Sequence, residues 1–400
     1  MPLLVACQNE SSPSNVVLEG YVLNKEYNFY EKIDGNNYFI NVAKIGYPQL
    51  EKVFSLPSLY KNLYIDGSSN KTILDFSIVF EQREDPINIY LNNLSAISKE
   101  GTPFLNLENI SNNANLEIDG ICSIKGFSGR SGMNGVSYDV DESRTNPVNG
   151  MVGDNGQIGE TPVIANDLKI LIKENATLSI TGGNGGYAGN GGNGSGSDAA
   201  NVGKAGDGGN GGNGGNGGNA IAIKTNLSID NRGQLTIAGG NGGKAGDAGN
   251  GGNNSPANPF NVPDCGGHGG AGGLGGKGGF AIGLDNNATF SLTNNSITLI
   301  GGNGGDAGNG GNGGSTTYYF NVTPEPGNGG NGGNGGNGGN TTNVILDDYS
   351  LIETIPGKGG KYGRGGANSS YYYIGTNYES GRTIASEKGS DGYNGHSGSY

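Results

Sequence analysis

The chain of 400 residues has no tryptophan, only two histidines and only three cysteines. The cysteines, Cys7, Cys122 and Cys265, are too few for a disulfide framework and match no zinc-binding spacing. The histidines, His268 and His396, have no partner at a spacing that would make a metal site or a catalytic pair. No nucleophile–base pattern is visible elsewhere. The sequence therefore predicts a protein that is not an enzyme and that has no cofactor and no metal ion.

Positive charge and long apolar runs are also scarce. The formal net charge of −13 argues against nucleic acid and anionic membranes as partners, because both attract basic patches. No apolar run approaches the roughly 18 residues that would cross a bilayer. The GGLGGKG segment at Lys277 lacks the Ser or Thr that follows the lysine of a phosphate-binding loop, which excludes nucleotide binding there. Hydrophobic residues make up 32% of the chain and leave room for one modest domain and a thin apolar layer.

Glycine, in contrast, is abundant, with 83 residues. The triplet GGN recurs without interruption along residues 208–219 and again along residues 329–340. A strict period of three suits polyglycine II, an extended left-handed helix of the polyproline II type without internal hydrogen bonds. Its backbone amides have to pair with neighbouring helices, so the pattern predicts a bundle. A flexible glycine linker is the alternative, but a linker does not keep a fixed phase.

The glycine tracts belong to a repeat. They begin at Gly126, Gly182, Gly239, Gly301 and Gly357, at spacings of 56, 57, 62 and 56 residues. Each unit has an outgoing tract, a loop, a returning tract and an alternating apolar segment typical of a half-buried strand. The predicted fold is mostly β and irregular. A short β-solenoid layer carries about ten antiparallel polyglycine II helices with five distal loops. The end units have one glycine in three, which indicates outer tracts with exposed side chains.

Composition divides the chain into four parts. Residues 1–15 are predicted to be a flexible leader. Residues 16–85, with few glycines and alternating apolar positions, are predicted to form a small β-rich attachment domain. Similar alternation in residues 86–125 indicates the start of the β-solenoid stack. Residues 126–400 are predicted to form the five-repeat polyglycine II bundle with its strand segments.

The five loops differ from one another, whereas the tracts are nearly copies. A rigid scaffold with dissimilar loops is the usual arrangement of a binding surface. Tyrosines among small polar residues supply contact area and adaptable hydrogen bonds, as in antibody paratopes. The alternative is that these aromatic side chains cover one another at the end of the bundle. The predicted receptor-binding residues are Tyr138, Phe260, Tyr318, Tyr319, Phe320, Tyr371, Tyr372, Tyr373 and Tyr378.

The tract layout of residues 126–400, the five variable loops and the separate N-terminal region together resemble the tail-fibre tip adhesins of T-even-like bacteriophages. In that family a polyglycine II sandwich presents hypervariable loops to outer-membrane receptors. The resemblance implies a host surface receptor, an outer-membrane protein or a glycan, as partner of the loop residues. It also implies a tail-fibre protein as partner of the N-terminal domain, and a location at the tip of a virion tail fibre. Strand segments longer than the family's short turns depart from this pattern, and residues 1–100 match no fibre-docking segment.

Three other functions fit parts of the sequence. Leu4-Val5-Ala6-Cys7 resembles a bacterial lipobox, which would make the protein a lipid-anchored adhesin or structural protein at a cell surface. However, no basic region precedes it and its apolar stretch is short, so this reading needs a start further upstream. Some ice-binding proteins also use polyglycine II bundles, but the outward triplet position here is mostly Asn rather than Thr. A purely structural spacer is the third alternative.

Overall fold

A computed structural model describes residues 20–27, 29–42, 49–67, 72–138, 147–197, 204–254, 265–318, 326–342, 350–368, 371–373 and 387–398. These residues contain β-strands and no α-helix, so the prediction of a mostly β chain is confirmed. The strands are β1 (Val22–Asn24), β2 (Phe29–Asp34), β3 (Asn37–Asn41), β4 (Gln49–Leu56), β5 (Asn62–Asp66), β6 (Thr72–Phe80), β7 (Ile87–Asn92), β8 (Ser95–Ile97), β9 (Leu105–Leu107), β10 (Ala114–Asp119), β11 (Ile121–Lys125), β12 (Val163–Ile172), β13 (Thr177–Thr181), β14 (Ile221–Asn231), β15 (Gln234–Ala238), β16 (Ile282–Leu284), β17 (Thr289–Asn294), β18 (Ile297–Ile300), β19 (Thr316–Tyr318), β20 (Ile352–Ile355) and β21 (Tyr371–Tyr373).

Most strands pair in parallel with the equivalent strand of the next repeat. One ladder runs from β3 through β5, β7, β10 and the second half of β12 to β14 and β17. A second ladder runs through β8, β11, β13, β15, β18 and β20. A third joins β9, the first residues of β12 and β14, and β16. Equivalent residues of successive repeats therefore lie directly above one another.

The apolar alternation explains this stacking. Leu63, Ile89, Leu116, Ile170 and Ile229 are register partners in turn, and each is at most 1% exposed. Because successive side chains of a strand point to opposite faces, every second residue enters the core. Full burial of an aliphatic side chain contributes about 1.5–3 kcal/mol relative to exposure. One column of this kind can therefore hold successive repeats in register.

Polar and aromatic ladders follow the half-buried face of the same strands. Asn62 donates its side-chain amide to Asn37 Oδ1 at 2.7 Å, and Asn88 donates to Asn62 Oδ1 at 2.8 Å. Next to this ladder, the rings of Tyr64 and Tyr90 stack with centroids 4.4 Å apart and an interplanar angle of 6°. Since both ladders need in-register parallel pairing, they fix the alignment of the N-terminal repeats.

The predicted domain boundary near residue 85 is crossed by hydrogen bonds. Strand β5 pairs with β7 over its whole length, and one apolar core extends from Phe29 to Leu299. At the N-terminal side, β1, β2 and β3 pair antiparallel and cover the edge of the first repeat. Whether residues 16–85 fold as an independent domain stays a prediction, and the predicted leader, residues 1–15, lies outside the described residues.

The glycine tracts leave the strand ladders at one recurring corner. Between β8 and β9 the corner is a short connection, residues 98–104, whereas between β11 and β12 it extends to residues 126–162. Successive corners remain aligned, because Ser98 N–H donates to the Lys125 carbonyl at 2.9 Å, and Gly126 N–H donates to the Thr181 carbonyl of the following corner at 2.8 Å. Later tracts begin at the same corner of their repeats, directly after β13, β15, β18 and β20.

Candidate binding surface

The glycine-rich segments form two rows of tracts, which we define by their described residues. The outbound tracts are residues 126–138, 182–197, 239–254, 301–315 and 357–368. The return tracts are residues 147–161, 204–219, 265–280, 326–340 and 387–398. None of these residues except those at the loop ends is assigned to a strand or a bridge, so their order comes from contacts between tracts.

Each described tract except the last of its row donates every third backbone N–H to the next tract of that row. In the outbound row, Gly185 N–H donates to the Asn241 carbonyl at 2.8 Å, and Gly242 N–H donates to the Asn303 carbonyl at 2.7 Å. In the return row, Gly214 N–H donates to the Leu274 carbonyl at 2.9 Å. Tracts of the same row are thus parallel and lie side by side.

The second glycine of each triplet joins the two rows. Gly215 N–H donates to the Gly186 carbonyl at 2.9 Å, and Gly243 N–H donates to the Gly215 carbonyl at 2.7 Å. A Cβ atom on Gly243 would lie 1.9 Å from the Gly186 carbonyl oxygen, closer than any real contact. This close approach explains why the interior tracts have two glycines in three residues.

The third residue of each triplet, mostly Asn or Asp, faces outward and completes the hydrogen bonding. Asn241 N–H donates to Asn184 Oδ1 at 2.9 Å, and Asn303 N–H donates to Asn241 Oδ1 at 2.8 Å. His268 occupies the same position and is exposed, as its triplet phase predicts; Asn328 N–H donates to its Nδ1 at 3.0 Å. This role was not predicted, although the regular recurrence of Asn in the sequence was the available signal. The side chains satisfy backbone donors that would otherwise point to solvent.

The outermost tracts differ from the interior ones. At the first edge, Met133, Val136, Met151, Val152 and Ile158 are all at least half exposed. This agrees with the inference that end tracts expose their side chains. At the last edge of the described tracts, side chains take the place of an outbound neighbour. Tyr362 N–H donates to Asn394 Oδ1 at 3.0 Å, and Gly365 N–H donates to Asp391 Oδ1 at 2.7 Å.

Residues that flank the loops meet at one end of the tracts. Tyr138 N–H donates to the Asn193 carbonyl at 3.1 Å, and Asn254 N–H donates to the Ser315 carbonyl at 2.9 Å. Ser197 and Asn254 form an isolated parallel β-bridge. The fourth and fifth loops are also joined, because β19 and β21 pair in parallel with Thr316 opposite Tyr371. The tract ends beside the loops therefore form one continuous row.

The structure places some of the predicted receptor-binding residues together. Tyr318 and Tyr373 are register partners in the β19–β21 pair, which also contains Tyr371 and Tyr372. These segments were predicted to be irregular loop, but the threonines and tyrosine of β19 and the tyrosines of β21 favour strand pairing. Half-buried Tyr138 lies in the first outbound tract, at the opposite edge of the row. Phe260, Tyr319, Phe320 and Tyr378 lie outside the described residues.

One cavity lies away from the loops, at the junction of the strand ladders and the return tracts. Its volume is about 290 Å³, and Glu108, Lys224, Asp285 and Phe280 are among the residues that line it. Lys224 Nζ lies 2.7 Å from Glu108 Oε1, and this hydrogen bond raises the pKa of the lysine. Lys224 and Glu108 thus form an ion pair in the cavity lining, which also contains Asp285.

The described part of the chain offers little for other chemistry. No group of three metal-ligating side chains occurs there, and no described helix is long and apolar enough to cross a membrane. Cys122 and Cys265 are free thiols. Burial raises the pKa of the Cys122 thiol to about 11, so its reactive thiolate form is scarce at neutral pH. Cys7 lies outside the described residues.

Comparisons with known proteins add one match. No protein-family model matches the chain, and no curated protein matches it. Among solved structures, the chain is similar to the nine polyproline type II helical bundle springtail antifreeze protein from Granisotoma rainieri, at 20% sequence identity. The match covers 68% of this chain and 95% of that chain, with a TM-score of 0.14. A TM-score this low does not establish a shared fold.

Proposed function

We propose that the chain is a non-enzymatic receptor-binding adhesin. In this proposal the parallel strand ladders form a short β-solenoid, and the glycine tracts form a polyglycine II bundle that presents five loops at its far end. One observation supports it most: in the described tracts, both glycines of a triplet donate to neighbouring tracts and not within their own tract. That is the bonding expected of extended threefold helices packed in a bundle.

The loops are the proposed recognition surface because the scaffold brings their ends into one row. Tyrosine provides a large contact area at a low cost in side-chain entropy. The pairing of Tyr318 with Tyr373 joins two tyrosine-containing loops, so they act as one unit. By resemblance to T-even-like tail-fibre tip adhesins, the receptor is an outer-membrane protein or a glycan of a host cell. The same resemblance assigns the protein to a tail-fibre tip, attached to a fibre protein through its N-terminal region.

The proposal is tested by exchanging residues 315–326 and 367–388 for short glycine turns and measuring adsorption to a panel of bacterial cells. Loss of central tyrosine anchors is expected to weaken adsorption at least about tenfold, since such residues dominate binding energy. The matched control exchanges residues 198–203, a loop segment without aromatic residues. That control is expected to adsorb like the unchanged protein.

Unaltered adsorption after the double loop exchange would contradict the adhesin proposal and favour a structural spacer. Thermal hysteresis in the purified protein, without adsorption to any cell, would favour the ice-binding alternative. Acylation of Cys7 in protein isolated from its source, detected by mass spectrometry, would favour a lipid-anchored surface protein over a tail-fibre tip.

A further inference from the structure

The last outbound tract has a row of positive charges that the loops do not explain. Lys358, Lys361 and Arg364 occupy successive outward triplet positions, and all three are exposed. The equivalent positions of the preceding outbound tract hold Asn303, Asp306 and Asn309. In a chain with a net charge of −13, this run of three cations on one line is a local inversion of charge.

Hydrogen bonds fix the backbone positions of the three cationic residues. Lys358 N–H donates to Asn303 Oδ1 at 2.9 Å, and Arg364 N–H donates to Asn309 Oδ1 at 2.9 Å. At the rise of a polyproline II chain, positions three residues apart are separated by about 9 Å. The three charged groups therefore project from a straight and rigid line that spans about 19 Å.

Within the described ranges, the side chains of these three cationic residues are not paired with acidic side chains. Among the described residues, the Lys358, Lys361 and Arg364 side chains make no ion pair within 4.0 Å, whereas Lys173, Lys204, Lys224 and Arg232 do. The carboxylate of Asp306, beside Lys361 in the adjacent tract, already accepts the Lys361 backbone N–H at 2.8 Å. Asp306 offsets part of the charge, and the three cations leave the line with a net positive charge that faces solvent.

One exposed tyrosine belongs to the same tract as the cations. Tyr362 is 43% exposed. Tyr362 lies between Lys361 and Arg364 in sequence, and its N–H is fixed by Asn394. Exposed aromatic rings beside cations can contact the apolar faces of sugar rings while the cations attract acidic groups.

We propose that this terminal surface, formed by Lys358, Lys361, Tyr362 and Arg364, binds a linear anionic polysaccharide. Duplex DNA carries one charge per about 1.7 Å and matches poorly with cations about 9 Å apart. A polysaccharide with acidic sugars is more sparsely charged and thin enough to follow a single line. This surface adjoins the fifth loop, since Arg364 lies shortly before that loop begins, but it does not depend on the loop residues.

The test measures the affinity of the full chain for sodium polygalacturonate, with neutral dextran and a short DNA duplex as comparison ligands. The variant Lys358→Asn, Lys361→Asn and Arg364→Asn places at each position the residue typical of the sister tracts, which preserves the fold. It is expected to bind polygalacturonate at least about tenfold more weakly and to lose most of the salt dependence between about 50 and 200 mM salt. The control variant Lys169→Asn, Lys244→Asn and Lys277→Asn removes the same charge from exposed positions elsewhere and should change affinity less than about twofold.

Equal weakening of both triple variants would overturn the assignment, because it would reveal only a general charge effect. Absence of polygalacturonate binding by the unchanged chain would also overturn it, as would tighter binding of the DNA duplex. The protein with exchanged fourth and fifth loops should retain polygalacturonate binding. This result separates the inference from the proposed function, which concerns cell adsorption through those loops.

Discussion

The three residues of each glycine triplet have different tasks. The first donates along its own row, the second donates to the other row, and the third faces outward. Gly243 illustrates the second position, because a Cβ atom there would overlap the Gly186 carbonyl. Lys244, the next residue, is exposed. Within a single tract, one position therefore has no room for a side chain, whereas the position next to it accepts a large one.

We expect Gly243→Ala to lower the free energy of unfolding by about 3 kcal/mol, since backbone atoms on both sides would have to separate. The matched change Lys244→Ala should alter it by less than about 0.5 kcal/mol. Urea unfolding followed by circular dichroism measures both. Equal stability of the two variants would show that the tracts are not closely packed.

The sequence showed that asparagine recurs at the outward triplet position, but it did not show that the side chains bind backbone amides. From the sequence, the abundance of asparagine argued only against an ice-binding face. In the structure, Asn184, Asn241 and Asn303 form a ladder. The side chain of each asparagine accepts the backbone N–H of the next asparagine in the ladder. Their partners lie 57 and 62 residues further along the chain, so no local pattern could identify them.

Strands and tracts differ in how they end a row. Strand β1 covers the first repeat by antiparallel pairing with β2. The last outbound tract instead has the side chains of Asp391 and Asn394 as acceptors for its free amides. This arrangement satisfies the donors that an additional tract would otherwise bind, as natural sheets also protect their exposed edges.

The double variant Asp391→Ala and Asn394→Ala should accelerate amide exchange at Tyr362 and Gly365 about tenfold, corresponding to roughly 1.4 kcal/mol for each lost hydrogen bond. Hydrogen exchange measured by mass spectrometry would detect this change. Ser397→Ala is the control, because Ser397 lies in the same tract and caps neither amide. If exchange at both amides is unchanged, the side-chain caps contribute nothing.

The strand elements were largely predictable. Alternating segments such as Leu178/Ile180 and Leu235/Ile237 form β13 and β15, with those residues buried as their period of two indicates. The pairing of β19 with β21 was not predicted. Each segment is only three residues long, and its partner lies in a different loop, so the pairing depends on tract positions that the sequence does not state.

Across the molecule, the strand ladders and the tract rows share one register. Successive repeats differ in length, yet each tract begins beside its predecessor because β11, β13, β15 and β18 are aligned. The apolar core therefore positions the glycine tracts, which have almost no side chains with which to select their neighbours. Burial in the strand layer and backbone bonding in the tracts should stabilise each other.

Amide exchange along the whole chain tests this coupling. Residues 208–219 donate to tracts in both rows, and we expect exchange at least about a hundredfold slower than in an unfolded chain. Residues 387–398, at the last described edge, should exchange faster because among the described residues they bond to the tracts on one side of their row only. Rapid exchange throughout residues 208–219 would mean that the glycine tracts are loose coil and would remove the support for the proposed binding surface.

The sequence by itself determined the period of three, the glycine positions and the alternating strands, because these follow from local backbone geometry and from which faces must lack a side chain. Only the tertiary structure decided which tract lies beside which, how Asn side chains cap neighbouring amides, and that Lys358, Lys361 and Arg364 lie on an outer edge. The physical reason is that a backbone amide bonds equally well to any carbonyl. Its partner is chosen by the alignment of strands more than 50 residues apart in sequence.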